Sequence, residues 1–258
     1  MNYKSVAFFD LDGTLLNDEG QIEKPVKKAI DKLKENGILP VINTGRSLPH
    51  TRKAMKASGI TSVISLNGQY IIHNGEIVYE NIIPTSTVER FIQFAKRLGH
   101  LMKLFSGEQV YATQIPQKMI DQHNSWGISV PQLATDMSNI PVHQLLPIFS
   151  DTKLDQDYQE EFGDELTFFR NSPGAIDVIS KGVDKGVGAM RFIEHMGLQG
   201  VQTYGFGDGL NDIALLKTVD FGVAMENGHE EVKAVANYIT KKNTEGGIIQ
   251  ALEHFQLL

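Results

Sequence analysis

Two aspartates one residue apart directly follow an apolar run near the start of the chain. The apolar run, residues 6–9, precedes Asp10-Leu-Asp12-Gly13-Thr14. Two carboxylates at this spacing can divide a reaction, because one can attack or bind a metal while the other transfers protons. Gly13 would let the backbone approach a phosphate, and the Thr14 hydroxyl and nearby N–H groups could hold its oxygens. A plain turn, in which Asp and Gly are also favoured, is the competing interpretation.

Two further segments carry residue types suited to phosphate. Thr44, Gly45 and Arg46 follow a second apolar run, where a hydroxyl beside glycine suits phosphate binding or a helix cap. Lys185 stands at a predicted helix start, a position that the helix dipole disfavours for a cation. It is either a surface lysine or a residue that stabilises a phosphoryl group or its aspartyl ester.

A fourth polar segment, residues 207–212, reads Gly-Asp-Gly-Leu-Asn-Asp. Asp208, Asn211 and Asp212 offer hard oxygen atoms, which Mg²⁺ prefers together with waters and substrate phosphate. The alternative is a glycine-rich turn in which Asn211 or Asp212 caps the next helix.

The apolar pattern places all four segments at strand ends or at the start of the adjoining helix. Residues 6–9, 38–42 and 63–66 are predicted strands, and residues 26–33 and 48–57 are predicted helices. This βαβαβ order is typical of a parallel sheet with right-handed crossovers. Since ligands bind at the carboxyl ends of parallel strands, the four segments together predict one active site.

The regular alternation of strands and helices stops in the middle of the chain. Asn74-Gly75, between two apolar runs, predicts a hairpin, and strands and helices then follow without regular alternation up to Gly182. From Asp184 the alternation resumes. We therefore predict a Rossmann-like doubly wound α/β core formed by residues 1–83 and 183–258, with an α+β cap inserted at residues 84–182.

Composition excludes several classes of protein. The 24 Lys and Arg against 31 Asp and Glu give a net charge of −7, which disfavours nucleic acid and anionic membranes as partners. Without cysteine, thiolate metal sites and cysteine nucleophiles are excluded. Neither a signal peptide nor an apolar run of about 18 residues is present, so we expect a cytoplasmic location.

As an ordered set, the motifs resemble the haloacid dehalogenase superfamily, specifically its Cof-type phosphatases with a large α/β cap. The resemblance rests on Asp-Leu-Asp-Gly-Thr-Leu at 10–15, Thr-Gly-Arg at 44–46, Lys185, residues 207–212, and Gly-Val-Ala-Met at 222–225. It spans essentially the whole chain. It implies a phosphatase that hydrolyses small phosphorylated metabolites, such as sugar phosphates or phosphorylated cofactors, with Mg²⁺ as cofactor.

The resemblance also implies a role for each residue. Asp10 would be the nucleophile and a metal ligand, while Asp12 would be the general acid and base and offer its backbone carbonyl to Mg²⁺. Thr44 and Lys185 would hold the phosphoryl oxygens. The metal would also be bound by Asp208 and supported by Asp212, and the remaining substrate-binding residues would be Thr14, Gly45, Arg46 and Asn211.

Two departures from the family pattern, Glu226 and the segment 243–246, bear on substrate access or specificity.

A phosphomutase of the same superfamily and a non-catalytic regulator that binds Mg²⁺ and a phosphometabolite remain as alternatives. The cap offers no clear specificity residue, and its candidates are His100, Phe105, Tyr111, His123, Trp126 and His143. The sequence does not indicate an oligomeric state.

Overall fold

The computed structural model describes residues 3–135 and 140–258. The strands are β1 (Ser5–Phe9), β2 (Ile38–Asn43), β3 (Ser62–Ser65), β4 (Tyr70–His73), β5 (Glu76–Glu80), β6 (Leu101–Ser106), β7 (Gln109–Ala112), β8 (Gln132–Leu133), β9 (Gln144–Ile148), β10 (Leu166–Ser172), β11 (Ala175–Ser180), β12 (Gln202–Gly207), β13 (Phe221–Met225) and β14 (Tyr238–Thr240). The helices are α1 (Lys24–Glu35), α2 (Leu48–Ser58), α3 (Thr85–Arg97), α4 (Gln117–Trp126), α5 (Leu154–Phe162), α6 (Lys185–His195), α7 (Ile213–Thr218), α8 (Glu230–Lys233) and α9 (Gly247–His254).

The chain divides into two compact units. The first comprises Met1–Arg46, Thr51–Tyr79 and Asp184–Leu258, and the second comprises Ser47–His50 and Glu80–Val183. The second unit is thus largely an insertion in the sequence of the first. The domain boundaries proposed from the sequence, at residues 83/84 and 182/183, stay a prediction.

The first unit contains an eight-stranded sheet in the order β14-β13-β12-β1-β2-β3-β4-β5. Pairing is parallel from β14 through β3, and β4 then runs antiparallel to β3. The turn between β4 and β5 has positive φ at both Asn74 and Gly75, as the predicted two-residue hairpin requires. The carboxyl ends of β2, β1 and β12 therefore lie side by side at one edge.

The apolar run of β1 is buried because both faces of this sheet are covered. Val6 and Phe8 pack with Ala189 and Phe192 of α6 on one face. Ala7 and Phe9, whose side chains alternate to the other face, are also fully buried. This arrangement confirms the predicted doubly wound α/β core.

The second unit contains a six-stranded sheet in the order β10-β11-β9-β6-β7-β8. All pairs are antiparallel except β7 with β8. Its core forms where Phe91 of α3 and Tyr158 and Phe162 of α5 pack with the alternate β6 residues Met102 and Leu104. This unit is an α+β fold, as predicted for the insertion.

Candidate active site

The predicted site residues of the first unit follow adjacent strand ends. Asp10 comes directly after β1, Thr44 after β2 and Asp208 after β12, while Lys185 begins α6. Because β2, β1 and β12 are parallel neighbours, these side chains meet at the same edge of the sheet.

Lys185 connects two of the aspartates. Its Nζ atom donates to Asp10 Oδ1 at 2.7 Å and to Asp212 Oδ1 at 2.6 Å, and the lysine is only 1% exposed. Burial alone would lower the pKa of Lys185, but the charges of Asp10 and Asp212 outweigh burial and raise it above its usual value. The lysine is therefore held as a cation beneath the sheet edge.

The carboxylates outnumber the lysine. One oxygen from each of Asp10, Asp208 and Asp212 lies within 4.8 Å of the others. Burial raises the pKa of Asp10 to about 8, with Asp212 and Asp208 adding to the rise and Lys185 opposing it. Burial likewise raises the pKa of Asp208 to about 6. This excess of buried negative charge and hard oxygen atoms fits a divalent cation such as Mg²⁺.

Backbone N–H groups orient Asp212. Its Oδ2 atom accepts hydrogen bonds from the N–H groups of Asp208 and Gly209, at 3.0 and 2.9 Å. Its other oxygen accepts from Lys185. Asp212 thus links the turn after β12 to the lysine, and its supporting role beside a metal stays a prediction.

The loop after β1 wraps closely around Asp208. Gly13 has a φ of 73°, and a Cβ atom at this position would overlap the Asp208 carboxylate. The next residue, Thr14, donates from its hydroxyl to Asp208 Oδ1 at 2.7 Å. The structure therefore shows the Thr14 hydroxyl bound to Asp208, a candidate metal ligand. The sequence predicted that this hydroxyl contacts phosphate, and that contact stays a prediction.

Asp12 lies outside the buried cluster. Its side chain is 60% exposed and pairs with Arg46, whose Nε atom donates to Asp12 Oδ2 at 2.8 Å and whose Nη2 atom donates to Oδ1 at 2.5 Å. The backbone N–H of Arg46 donates to the Thr44 hydroxyl at 3.1 Å. The predicted general acid is thus held by the predicted phosphate-binding loop.

Sequence reasoning missed one side chain at this edge, Asn67. Its Oδ1 atom accepts from Asn211 Nδ2 at 3.0 Å, and the residue is fully buried. A signal is present in the sequence, because Asn67-Gly68 comes directly after the third predicted strand, just as the other motifs come after theirs. The signal is weak, since an Asn-Gly pair is also typical of a plain turn and carries no charge that would be costly to bury.

The predicted cap candidates occupy varied positions in the second unit. The histidines have internal partners: His100 contacts the Tyr158 hydroxyl, His123 contacts Lys103 and the Ser129 carbonyl, and His143 contacts Gly107 and Glu80. Phe105 is buried, Tyr111 packs against the unit's core, and Trp126 is 56% exposed. The sequence left open whether any of them faces a substrate.

Comparison with known proteins identifies the family. The family model for haloacid dehalogenase-like hydrolases matches residues 7–252. The chain belongs to this family. The predicted resemblance to the Cof-type phosphatases of the haloacid dehalogenase superfamily is thereby confirmed.

Two relatives illustrate the match. The chain is 30% identical over 251 residues to the 5-amino-6-(5-phospho-D-ribitylamino)uracil phosphatase YcsE of Bacillus subtilis, covering 96% of this chain and 94% of that protein. Among solved structures, the subclass IIB sugar phosphatase BT4131 is 28% identical with a TM-score of 0.85, covering 99% of this chain and all of that one.

A further solved structure, a hypothetical protein from Geobacillus kaustophilus, is 32% identical with a TM-score of 0.88 and covers 100% of both chains. The family match and the phosphatase relatives together confirm the predicted enzyme class, a phosphoric monoester hydrolase. Within residues 3–135 and 140–258, we find no helix with the length and apolarity needed to cross a membrane.

Proposed function

We propose that this haloacid dehalogenase-like hydrolase is a Mg²⁺-dependent phosphatase that acts on small phosphorylated metabolites through an aspartyl-phosphate at Asp10. The observation that carries the proposal is the buried Lys185, which bridges Asp10 and Asp212 beside Asp208. A carboxylate can attack an anionic phosphate only if their repulsion is offset, and a lysine with a divalent cation would do so.

In the first half-reaction, an oxygen of Asp10 forms a bond to phosphorus while the bond from phosphorus to the alkoxide leaving group breaks. Asp12 donates a proton to that leaving oxygen. Lys185 and Thr44 hold the phosphoryl oxygens, together with Gly45, Arg46 and Asn211 as further substrate contacts. Arg46 orients the exposed Asp12 carboxylate through paired hydrogen bonds, in the ionised form that accepts a proton in the second half-reaction.

In the second half-reaction, Asp12 accepts a proton from water, whose oxygen attacks phosphorus and releases Asp10. Two acids thus serve two steps, one as nucleophile and one as proton carrier. Mg²⁺ would be held by Asp10, Asp208, Asp212 and the backbone carbonyl of Asp12, and it would supply charge neutralisation.

For the substrate, we propose sugar phosphates or phosphorylated cofactors. Support comes from the activities for which the relatives are named, one a sugar phosphatase and one a phosphatase for a phosphorylated ribitylaminouracil. The cytoplasmic location predicted from the sequence agrees with such substrates. The phosphomutase alternative shares the aspartyl-phosphate but would return the phosphoryl group to a second hydroxyl.

The test is phosphate release from a panel of phosphorylated metabolites, with and without Mg²⁺, by the native protein and by Asp10→Asn. We expect Asp10→Asn to reduce kcat on the order of 10³-fold or more, because the nucleophile is lost. Asp18→Asn, at an exposed aspartate of the same loop region, is the matched control and should retain full activity.

Heavy-oxygen water separates the alternatives. A phosphatase should place one solvent oxygen in each released phosphate, whereas a mutase would transfer the phosphoryl group between hydroxyls without that oxygen. Near-native turnover by Asp10→Asn would refute the nucleophile assignment. Binding of Mg²⁺ and metabolite without turnover by the native protein would favour the regulator.

A further inference from the structure

The segment that follows β3 has an unusual backbone. Leu66, Asn67 and Gly68 have φ values of 54°, 55° and 98° in succession. Positive φ is uncommon for residues other than glycine, although Asn tolerates it better than most. Such strain persists only where surrounding contacts impose it, and it is concentrated at functional sites.

Two parts of the candidate active site contact this segment. The backbone N–H of Asn67 donates to the Thr44 carbonyl at 3.1 Å, and that of Leu66 donates to the Arg46 carbonyl at 3.1 Å. On the other side, a Cβ atom on Gly68 would overlap the Asp184 carbonyl just before Lys185. The segment is therefore clamped between the phosphate-binding loop and the start of α6.

This clamp buries the Asn67 carboxamide among predicted phosphate ligands. A Cβ atom built on Gly45 would lie 3.1 Å from Asn67 Oδ1 and 3.2 Å from Nδ2, so the absence of a side chain at Gly45 leaves room for the amide. Oδ1 accepts from Asn211. Nδ2, by contrast, is buried and has no hydrogen-bond partner within residues 3–135 and 140–258.

A buried donor without a partner loses its hydrogen bonds to water and gains none in return, and native structures rarely retain one without a purpose. An oxyanion bound beside Thr44 and Asn211 would supply the missing acceptor. Neutral amide donors at fixed positions are also well suited to charge that develops during phosphoryl transfer.

We propose that Asn67 is a further phosphoryl-binding residue, which donates from Nδ2 to a non-bridging phosphoryl oxygen while its Oδ1 atom positions Asn211. This inference rests on the proposed phosphatase function. It adds the end of β3 to the strand ends that form the site, and it gives the strained backbone a role.

Two substitutions test the donor Nδ2 and the acceptor Oδ1 of Asn67 separately. Asn67→Gly removes the whole amide and suits the positive φ, whereas Asn67→Asp keeps an oxygen for Asn211 but replaces the donor with a negative charge. We expect Asn67→Gly to lower kcat/KM about 100-fold, as for loss of one transition-state donor. Asn67→Asp should be worse than Asn67→Gly, because its charge would repel the phosphoryl group.

Inorganic phosphate and orthovanadate, as competitive inhibitors in the presence of Mg²⁺, provide a second readout. Both should bind more weakly to the two Asn67 variants than to the native protein. Asn74 is the matched control, since it has a φ of 52° and lies in the β4–β5 turn. Asn74→Gly and Asn74→Asp should leave kcat/KM and inhibition unchanged.

The possible results are distinct. Near-native kinetics and inhibition in Asn67→Asp would overturn the donor role, because an acceptor for Asn211 would then suffice. If the native protein bound inorganic phosphate by calorimetry but showed no turnover, the proposed phosphatase would fail, and phosphate affinity of the Asn67 variants would still decide this inference. A native protein that neither turned over substrate nor bound phosphate would refute both.

Discussion

Lys185 lies beside the buried carboxylates of Asp10 and Asp212 and the half-buried carboxylate of Asp208, and this excess of negative charge explains the electrostatics of the site. Burying unpaired charge is costly, so the metal-free fold favours protonated carboxyl groups. Because the pKa of Asp10 is raised to about 8, the folded chain retains a proton that the unfolded chain releases at much lower pH. This group therefore lowers stability as pH rises toward 8, and a bound cation would counter that loss.

Thr14 contributes one hydrogen bond to this cluster of charges. Its hydroxyl donates to Asp208, and removing a partner that orients a metal ligand typically weakens metal affinity by roughly 10- to 100-fold. We expect Thr14→Val, which keeps the side-chain shape, to raise the Mg²⁺ concentration needed for half-maximal activity about tenfold. Thermal unfolding across a Mg²⁺ titration should show the same shift without relying on turnover.

Thr14→Ser retains the hydroxyl and should behave like the native protein in both measurements. If Thr14→Val left the Mg²⁺ dependence unchanged but weakened substrate binding, Thr14 would contact phosphate instead, as the sequence suggests.

At the scale of elements, the positions of the strand ends were predictable because each apolar run is followed directly by polar residues that could bind phosphate or metal. The βα alternation and the Asn74-Gly75 turn are local features, so a single sequence reveals them. Helices α4 and α5 were not predicted. Each buries only two residues, Met119 and His123 in α4 and Tyr158 and Phe162 in α5, which is too few to produce a visible helical period.

The role inferred for Asn67 could not be predicted from the sequence, for a different reason. Its partners, Thr44, Asn211 and Gly45, are distant in sequence, and only the strand order β12-β1-β2-β3 brings them to one edge. The sequence can indicate that an Asn-Gly pair ends a strand, but not that the amide lies between two other motifs. Likewise, the pairing of Asp12 with Arg46 depends on side-chain geometry.

His143 links separate elements of the second unit. Its Nδ1 atom accepts from the N–H of Gly107, which follows β6, and its Nε2–H donates to Glu80 at the end of β5. The ring is therefore neutral, and burial lowers its pKa despite Glu80. Because the unfolded chain binds a proton near pH 6.5 while the folded chain does not, stability should fall as pH drops below that value.

We expect His143→Gln to flatten this decline by up to about 1.4 kcal/mol per pH unit, the limit for one proton. Urea unfolding between pH 7.5 and 5, followed through the fluorescence of Trp126, reports on this unit because Trp126 is the single tryptophan. The native protein measured under the same conditions gives the reference slope. An unaltered slope in His143→Gln would mean that other groups cause the acid sensitivity.

At the scale of the whole molecule, each unit has its own hydrophobic core. Phe192 of α6 packs edge-on against Phe8 in the first, and Phe91 of α3 packs with Tyr158 and Phe162 in the second. Both phenylalanines are fully buried, so Phe→Ala at either position should cost about 3–5 kcal/mol locally. We expect each substitution to lower the stability of its own unit only.

Hydrogen exchange resolved by peptide distinguishes the two units. Phe91→Ala should speed exchange in β6, β9 and β11 while leaving β1, β2 and β12 protected, and Phe192→Ala should do the reverse. The native chain under identical conditions gives the reference protection. If either variant lowered protection equally in both sheets, the units would unfold as one cooperative body. Confined loss would instead mean that residues of the second unit can vary without destabilising the elements that hold Asp10 and Lys185, which is what substrate divergence within one family requires.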